Sequence, residues 1–181
     1  SSVYEPGSVF KMFTAVAALE SGSVTTKTRI NDTGTLKLDG GRSRIDDADR
    51  KAKGWMTFED AIAWSRNVVA AKVALGLDRN IRTASSMLHE TWTRFGFGSP
   101  TGIDLAGEVR GIVRDPAIST WRQIDLANGS FGQGIAVTPL QLAVAYSTMV
   151  NGGDRITPHV VKSVGMAETV AATKGRVIAP S

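Results

Sequence analysis

Cysteine is absent from the 181 residues, and histidine nearly so, with His89 and His159 alone. Without a thiol there can be no disulfide, no thiolate nucleophile and no cysteine-ligated zinc. Two histidines leave little material for a histidine triad or a zinc centre, since His89 falls within a helical pattern and His159 directly follows Pro158. Apolar runs of membrane-spanning length are missing too, because Lys, Arg or Gly interrupts the richest segments within helix length, and no signal-peptide pattern is present. Gly96-Phe97-Gly98 and Gly132-Gln133-Gly134 do not open a strand-turn-helix with a third glycine in register, so dinucleotide binding is not expected. Asp46, Asp47 and Asp49 lack the spacing and terminal glutamate of a calcium loop. No metal or organic cofactor is expected.

What is present suits a folded chain. Apolar residues make up 42% and charged residues 21%, and the length is enough for one core. There is no internal repeat, low-complexity tract or clear linker. The net charge of +4 draws on Arg42, Arg44, Arg50, Lys51 and Lys53, but Asp39, Asp46, Asp47 and Asp49 are interleaved with them. That pattern reads as a solvated loop or hairpin. No stacking aromatics or nucleic-acid motif accompany it, so nucleic-acid binding is not expected, and a mildly basic surface suits anionic polymers or lipid head groups instead.

The most informative segment is Tyr4-Glu5-Pro6-Gly7-Ser8-Val9-Phe10-Lys11. A Pro-Gly turn delivers Ser8 to the start of a helix, where its hydroxyl faces solvent in the positive end of the helix dipole. Lys11, three residues on, lies on the same face and can touch it. A lysine amine made neutral by burial and nearby cations can accept the hydroxyl proton, so this pair can activate a serine without histidine. A solvated helix face has the same spacing, so the motif alone leaves both readings open. Ser8 is the only serine with a lysine three places on. The helix after it carries an apolar stripe of Phe10, Phe13, Val16, Ala17 and Leu19, stopped by Gly22.

Thr57-Phe58-Glu59-Asp60 reads as a second helix start, with Thr57 as N-cap, running through Ala61, Ile62 and Trp64. It breaks at Ser65-Arg66-Asn67, and Val68 to Leu75 then reads as a buried helix ending at Gly76. A Ser-x-Asn turn between two helices can present both polar side chains to a cleft, although a plain helix-to-helix cap has the same letters.

Together these residues carry a family resemblance. Tyr4 to Lys11 and Ser65-Arg66-Asn67 resemble the first two motifs of the penicillin-binding proteins. The likeness continues through Arg94-Phe95-Gly96-Phe97-Gly98, Thr101-Gly102-Ile103-Asp104-Leu105, Gly107-Glu108, Gly111, Ser130-Phe131-Gly132-Gln133-Gly134, Val137-Thr138-Pro139-Leu140-Gln141-Leu142 and Asn151-Gly152-Gly153. Ser-Arg-Asn also occurs in bifunctional class A members, but the Gly-Glu and Ser-Phe-Gly-Gln-Gly segments are more similar to the high-molecular-mass class B transpeptidases. The resemblance implies that Ser8 attacks the penultimate D-alanine carbonyl of a D-alanyl-D-alanine stem peptide and forms an acyl-enzyme. Lys11 is then its proton acceptor, Ser65 relays a proton to the departing D-alanine, and Asn67 binds Lys11 and the substrate amide. An amine of a neighbouring peptidoglycan stem peptide takes the acyl group, and β-lactam antibiotics acylate Ser8 in the substrate's place. Divisome or elongasome proteins are the further partners implied. The expected location is the extracytoplasmic face of the bacterial cell membrane, through an anchor outside these residues.

The third family motif, Lys-Thr/Ser-Gly on a sheet-edge strand, is nowhere in the 181 residues. Thr173-Lys174-Gly175 has the letters in another order, and Lys162-Ser163-Val164 lacks the glycine. Residues 1–181 are therefore expected to be the central part of a transpeptidase domain, with N-terminal strands, a pedestal and an anchor upstream and the Lys-Thr/Ser-Gly strand downstream. Two alternatives stay open. A β-lactamase or β-lactam sensor shares Ser-x-x-Lys, but no Glu here has Asn four residues on, as class A lactamases do, and class D lactamases have valine at the place of Asn67. A non-catalytic division or elongation scaffold is the other.

The expected fold is α/β (α+β), of the penicillin-binding and serine β-lactamase-like transpeptidase type, mostly helical here with short β elements. Thr35-Leu36-Lys37-Leu38 before Gly40-Gly41 predicts a hairpin. Asp78 is expected to cap a helix through Ile81, Ala84, Leu88, Trp92 and Phe95, closed by Gly96. Thr138-Pro139 predicts another helix ending at Asn151-Gly152, and Ile156 to Val164 reads as extended.

Overall fold

The computed structural model describes residues 2–165, 167–168 and 173–178. Ala179-Pro180-Ser181 lies outside the described residues. The chain divides into two units, Glu5–Thr91 with Arg114–Ile135, and Ser1–Tyr4 with Trp92–Val113 and Ala136–Ser181.

In the first unit, Gly7 at φ +63° turns the chain into a 3-10 turn, Gly7–Phe10, which runs straight into helix α1, Lys11–Glu20. Phe10, Phe13, Ala17 and Ala18 are buried. Leu19 departs from the expected stripe and is 42% exposed. At about 100° per residue it points opposite to Phe10, so helical geometry places it on the outer face. Strand β1 (Arg29–Asp32) pairs antiparallel with β4 (Gly54–Thr57), and between them β2 (Thr35–Leu38) and β3 (Ser43–Asp46) form the expected hairpin, Leu36 opposite Ile45. Its turn needs positive φ at both Gly40 and Gly41.

Helix α2 (Phe58–Ala63) starts as predicted, Thr57 Oγ1 accepting from the Asp60 N–H at 3.1 Å. Helix α3 (Asn67–Leu75) buries Val68, Val69, Ala70, Ala71, Val73 and Ala74, so it is enclosed on almost every side. Helix α4 (Ile81–Arg94) is capped by Asn80 rather than Asp78. The Asn80 carboxamide accepts from the Arg82 N–H at 2.9 Å, while Asp78 accepts from Asn80 one step earlier. The reason is register, since only Asn80 directly precedes the first helical residue. Helix α5 (Gln123–Gly129) packs on α3, and Val68, Ala71, Ala127 and Phe131 join Leu38 and Ile45 in one apolar cluster.

The segment after α5 holds the start of α1. The Gly132 carbonyl accepts from the Gly7 N–H at 3.1 Å, the Ser130 carbonyl from the buried Thr14 hydroxyl at 2.8 Å, and Glu5 accepts from the Gly134 N–H at 2.7 Å. These ties span more than a hundred residues of sequence and fix the backbone on both sides of Ser8.

In the second unit, helix α6 (Pro139–Val150) has the predicted start, with a capping box between Thr138 and Gln141 and proline in its first turn. The Gln141 amide also donates to the carbonyls of Ser99 and Arg110. Strand β5 (Asp154–Ile156) pairs with β8 (Thr173–Arg176), and β6 (Ser163–Val164) with β7 (Ala167–Glu168). The expected extended run is thus strand only at its two ends. Between them Asp104 accepts from the N–H groups of Val160 and Val161. Among the described residues no strand exceeds four residues, as expected of short β elements beside longer helices.

A Cβ at Gly132, whose φ is +78°, would lie 2.3 Å from the Gly7 carbonyl oxygen and 2.7 Å from Phe10 Cβ. Gly132→Ala is expected to cost at least about 2 kcal/mol in chemical denaturation. Gly134→Ala, at φ +72° with open space around it, should cost only about 1 kcal/mol.

Candidate active site

The site lies wholly within the first unit. Ser8 is exposed at the mouth of the 3-10 turn, while Lys11, at the start of α1, is only 2% exposed. The Lys11 amine lies 3.1 Å from Ser8 Oγ, 2.9 Å from Ser65 Oγ and 2.6 Å from the Ser65 carbonyl oxygen. Burial lowers its pKa to about 8, with Asp47 pulling it back up and Arg66 pushing it down.

Ser65 reaches the amine because of how α2 ends. Its φ is +56°, in the left-handed region. The Ser65 N–H donates to the Ile62 carbonyl and the Arg66 N–H to the Ala61 carbonyl, the two bonds of a Schellman helix ending. Glycine normally holds that position, and a serine there costs about 1 kcal/mol. The conformation turns both Ser65 oxygens toward Lys11.

Asn67 is placed differently from expectation. It is the first residue of α3, and its Nδ2 donates to the Asp46 carbonyl at 3.0 Å rather than to Lys11. Its N–H donates to Asp47 Oδ1, as does that of Val68. The Ser-x-Asn run therefore divides between a turn and a helix, and only its serine meets the lysine.

The expectation of a solvated loop holds for Arg42, Arg44, Arg50, Lys51 and Lys53, all exposed. It fails for Asp47, 2% exposed, and the sequence reading gives no role to Asp32, 0% exposed, or to Arg66, 6% exposed, beyond the latter's place in Ser65-Arg66-Asn67. Arg66 Nε donates to Asp32 at 2.7 Å, Nη1 to Asp49 at 3.0 Å and Nη2 to the Lys51 carbonyl at 2.6 Å. Asp47 Oδ2 adds an ionic contact at 3.1 Å that is not aligned as a hydrogen bond. Burial, and the neighbouring Asp32, push the Asp47 carboxyl up. Against the cost of its own burial, Asp32 is held below the usual carboxylate range by Asp47, the Gly34 N–H and Arg66. The local signal is weak: an arginine in a polar Ser-Arg-Asn junction between two apolar helices, and carboxylates more than fifteen residues away. Among the described residues no acidic or histidine cluster could hold a metal ion.

A serine hydroxyl facing solvent beside a buried, partly neutral amine can open an acyl or amide carbonyl. The family profile for the penicillin-binding protein transpeptidase domain matches residues 1–181. The chain belongs to the penicillin-binding protein transpeptidase family. Stage V sporulation protein D of Bacillus subtilis is 38% identical over 162 residues, 89% of this chain and 24% of that protein. Peptidoglycan D,D-transpeptidase FtsI of Escherichia coli is 35% identical over 153 residues, 84% of this chain and 24% of that protein. The apo TP domain of Burkholderia pseudomallei penicillin-binding protein 3 superimposes with a TM-score of 0.83 at 29% identity, over 99% of this chain and 50% of that one. The chain spans about a quarter of the length of these curated relatives. The names bear out the class B resemblance, and the mixed helix-and-strand architecture is that of the transpeptidase fold. In this family member Thr173-Lys174-Gly175 stands in β8 against β5, and Lys174 donates to the Thr101 carbonyl at 2.8 Å within the second unit. No helix among the described residues is long and apolar enough to cross a membrane.

The folded chain binds the Lys11 proton more weakly than the unfolded chain does. Between about 8, its folded pKa, and the ordinary 10.5, the unfolded state holds more protons, so Lys11 makes stability rise with pH. In paired denaturation of wild type and Lys11→Met, the difference should move toward wild type across that window and stay flat below it.

Proposed function

We propose that this chain carries the acyl-transfer site of a serine D,D-transpeptidase that cross-links peptidoglycan stem peptides. The observation that carries the reading is the exposed Ser8 hydroxyl 3.1 Å from a buried amine whose pKa is lowered to about 8. Ser8 Oγ adds to the penultimate D-alanine carbonyl as its proton passes to Lys11. The tetrahedral intermediate collapses with cleavage of the C–N bond, and the leaving D-alanine amine takes a proton through Ser65, which is replenished from Lys11. An acceptor stem-peptide amine then attacks the Ser8 ester and loses its proton to Lys11, which returns it to Ser8 Oγ as the ester C–O bond breaks. Asn67, its Nδ2 engaged by Asp46, offers its Oδ1 to a substrate N–H.

On this reading β-lactams acylate Ser8 as covalent inhibitors, divisome or elongasome proteins are the partners, and the site works on the extracytoplasmic side of the cell membrane. The remainder of the domain, including the Lys-Thr/Ser-Gly strand, belongs to polypeptide flanking these residues. Loss of oxyanion donors alone costs about 3–4 kcal/mol of transition-state stabilisation, so residues 1–181 in isolation are expected to release no measurable D-alanine.

The test is fluorescent-penicillin labelling of the intact parent polypeptide, with mass spectrometry of the adduct. The label should sit on Ser8, be abolished by Ser8→Ala and slow by about 100-fold or more in Lys11→Met. Because the amine acts as a base only when neutral, labelling should speed up as pH rises through about 8. Catalytic turnover of nitrocefin would replace the transpeptidase reading with a β-lactamase, and an unlabelled Ser8 would replace it with a scaffold.

A further inference from the structure

We propose that Arg66 is a positioning residue for this site: clamped by Asp32, Asp47 and Asp49, it holds Ser65 in its left-handed turn so that both Ser65 oxygens meet Lys11. The inference rests on the acyl-transfer reading above and adds a residue to it. Aiming a carbonyl and a hydroxyl of one residue at one amine, at 2.6 and 2.9 Å, requires the backbone that Ser65 adopts at φ +56°. A residue with a Cβ leaves that region readily unless it is held from both sides. On its N-terminal side the closing bonds of α2 hold it.

On the C-terminal side stands Arg66, whose guanidinium is bound by the end of β1 through Asp32 and by the loop after β3 through Asp47, Asp49 and the Lys51 carbonyl. Asp47 does double duty. Its Oδ2 faces Arg66, and its Oδ1 accepts the first two N–H groups of α3. The residue that follows Ser65 is therefore pinned through its side chain, and the next helix is pinned through the same carboxylate. A buried ion network of this kind is seldom more stable than an apolar core of equal volume, and its best-attested use is to select one geometry among several. Here the geometry selected is the turn that faces Lys11.

A double-mutant cycle on penicillin acylation of the intact parent polypeptide separates positioning from general support of the fold. Arg66→Gln should slow acylation at Ser8 by about 100-fold, the scale of a reacting group displaced by about 1 Å. Glycine adopts the left-handed turn unaided, so in a Ser65→Gly background the same change should cost no more than about threefold. If Arg66→Gln does not fold, Arg66→Lys and Asp49→Asn, the latter at the solvent edge of the clamp, run the same cycle with smaller steps. Penalties that multiply in the glycine background, or a folded Arg66→Gln acylated at the wild-type rate, overturn the proposal. A wild-type protein that takes no label at Ser8 instead overturns the acyl-transfer reading itself.

Discussion

An amine taken out of water organises the structure around it. Lys11 is 2% exposed, and an ammonium so placed must find oxygen partners or give up its proton. It does some of each: three oxygens surround it, and its pKa falls to about 8. Two of those oxygens belong to Ser65, which adopts an unfavourable backbone to supply them, and the third belongs to Ser8. Behind that turn a buried guanidinium, which disfavours the Lys11 charge, is itself balanced by carboxylates, among them Asp47, which favours it.

The other half of the arrangement is mechanical. Ser8 stays exposed at the start of a helix that buries Phe10, Lys11, Phe13 and Thr14, because Gly7 bends the chain and Gly132 lets the Ser130–Gly134 segment lie directly on it. Helix α3, apolar and buried on nearly every side, follows directly on the Ser65 turn. On the proposed reading, a hydroxyl held in place over an enclosed apolar helix loses little freedom on meeting a substrate.

Much of this was legible in the linear chain where a single local interaction decides the outcome. Thr57 and Thr138 as N-caps, the Thr35–Leu38 hairpin with Gly40 and Gly41, the end of α3 at Gly76 and the contact between Ser8 and Lys11 each involve residues a few places apart. Local reading erred where two candidates competed within a turn of helix, as with Asn80 against Asp78, or where an apolar residue simply faced outward, as with Leu19. At the site the Ser8–Lys11 contact is the expected one, whereas the Asn67 amide, expected at Lys11, donates to the Asp46 carbonyl. Local reading gives Arg66 no role beyond its place in Ser65-Arg66-Asn67, and it does not single out Asp32.

The sequence by itself determined the contact between Ser8 and Lys11, since a serine and a lysine three residues apart on a helix are neighbours on one face. It also determined the family, through motifs spread along its length. Only the tertiary structure decided whether the lysine is dry, which Ser65 conformer faces it, and which of several aspartates in a charged stretch turns inward. Those outcomes depend on burial and on partners separated by seventeen to fifty-four residues, as Arg66 is from Asp49 and Ser65 from Lys11. Desolvation has no local signature, because it is a property of everything that packs around a group.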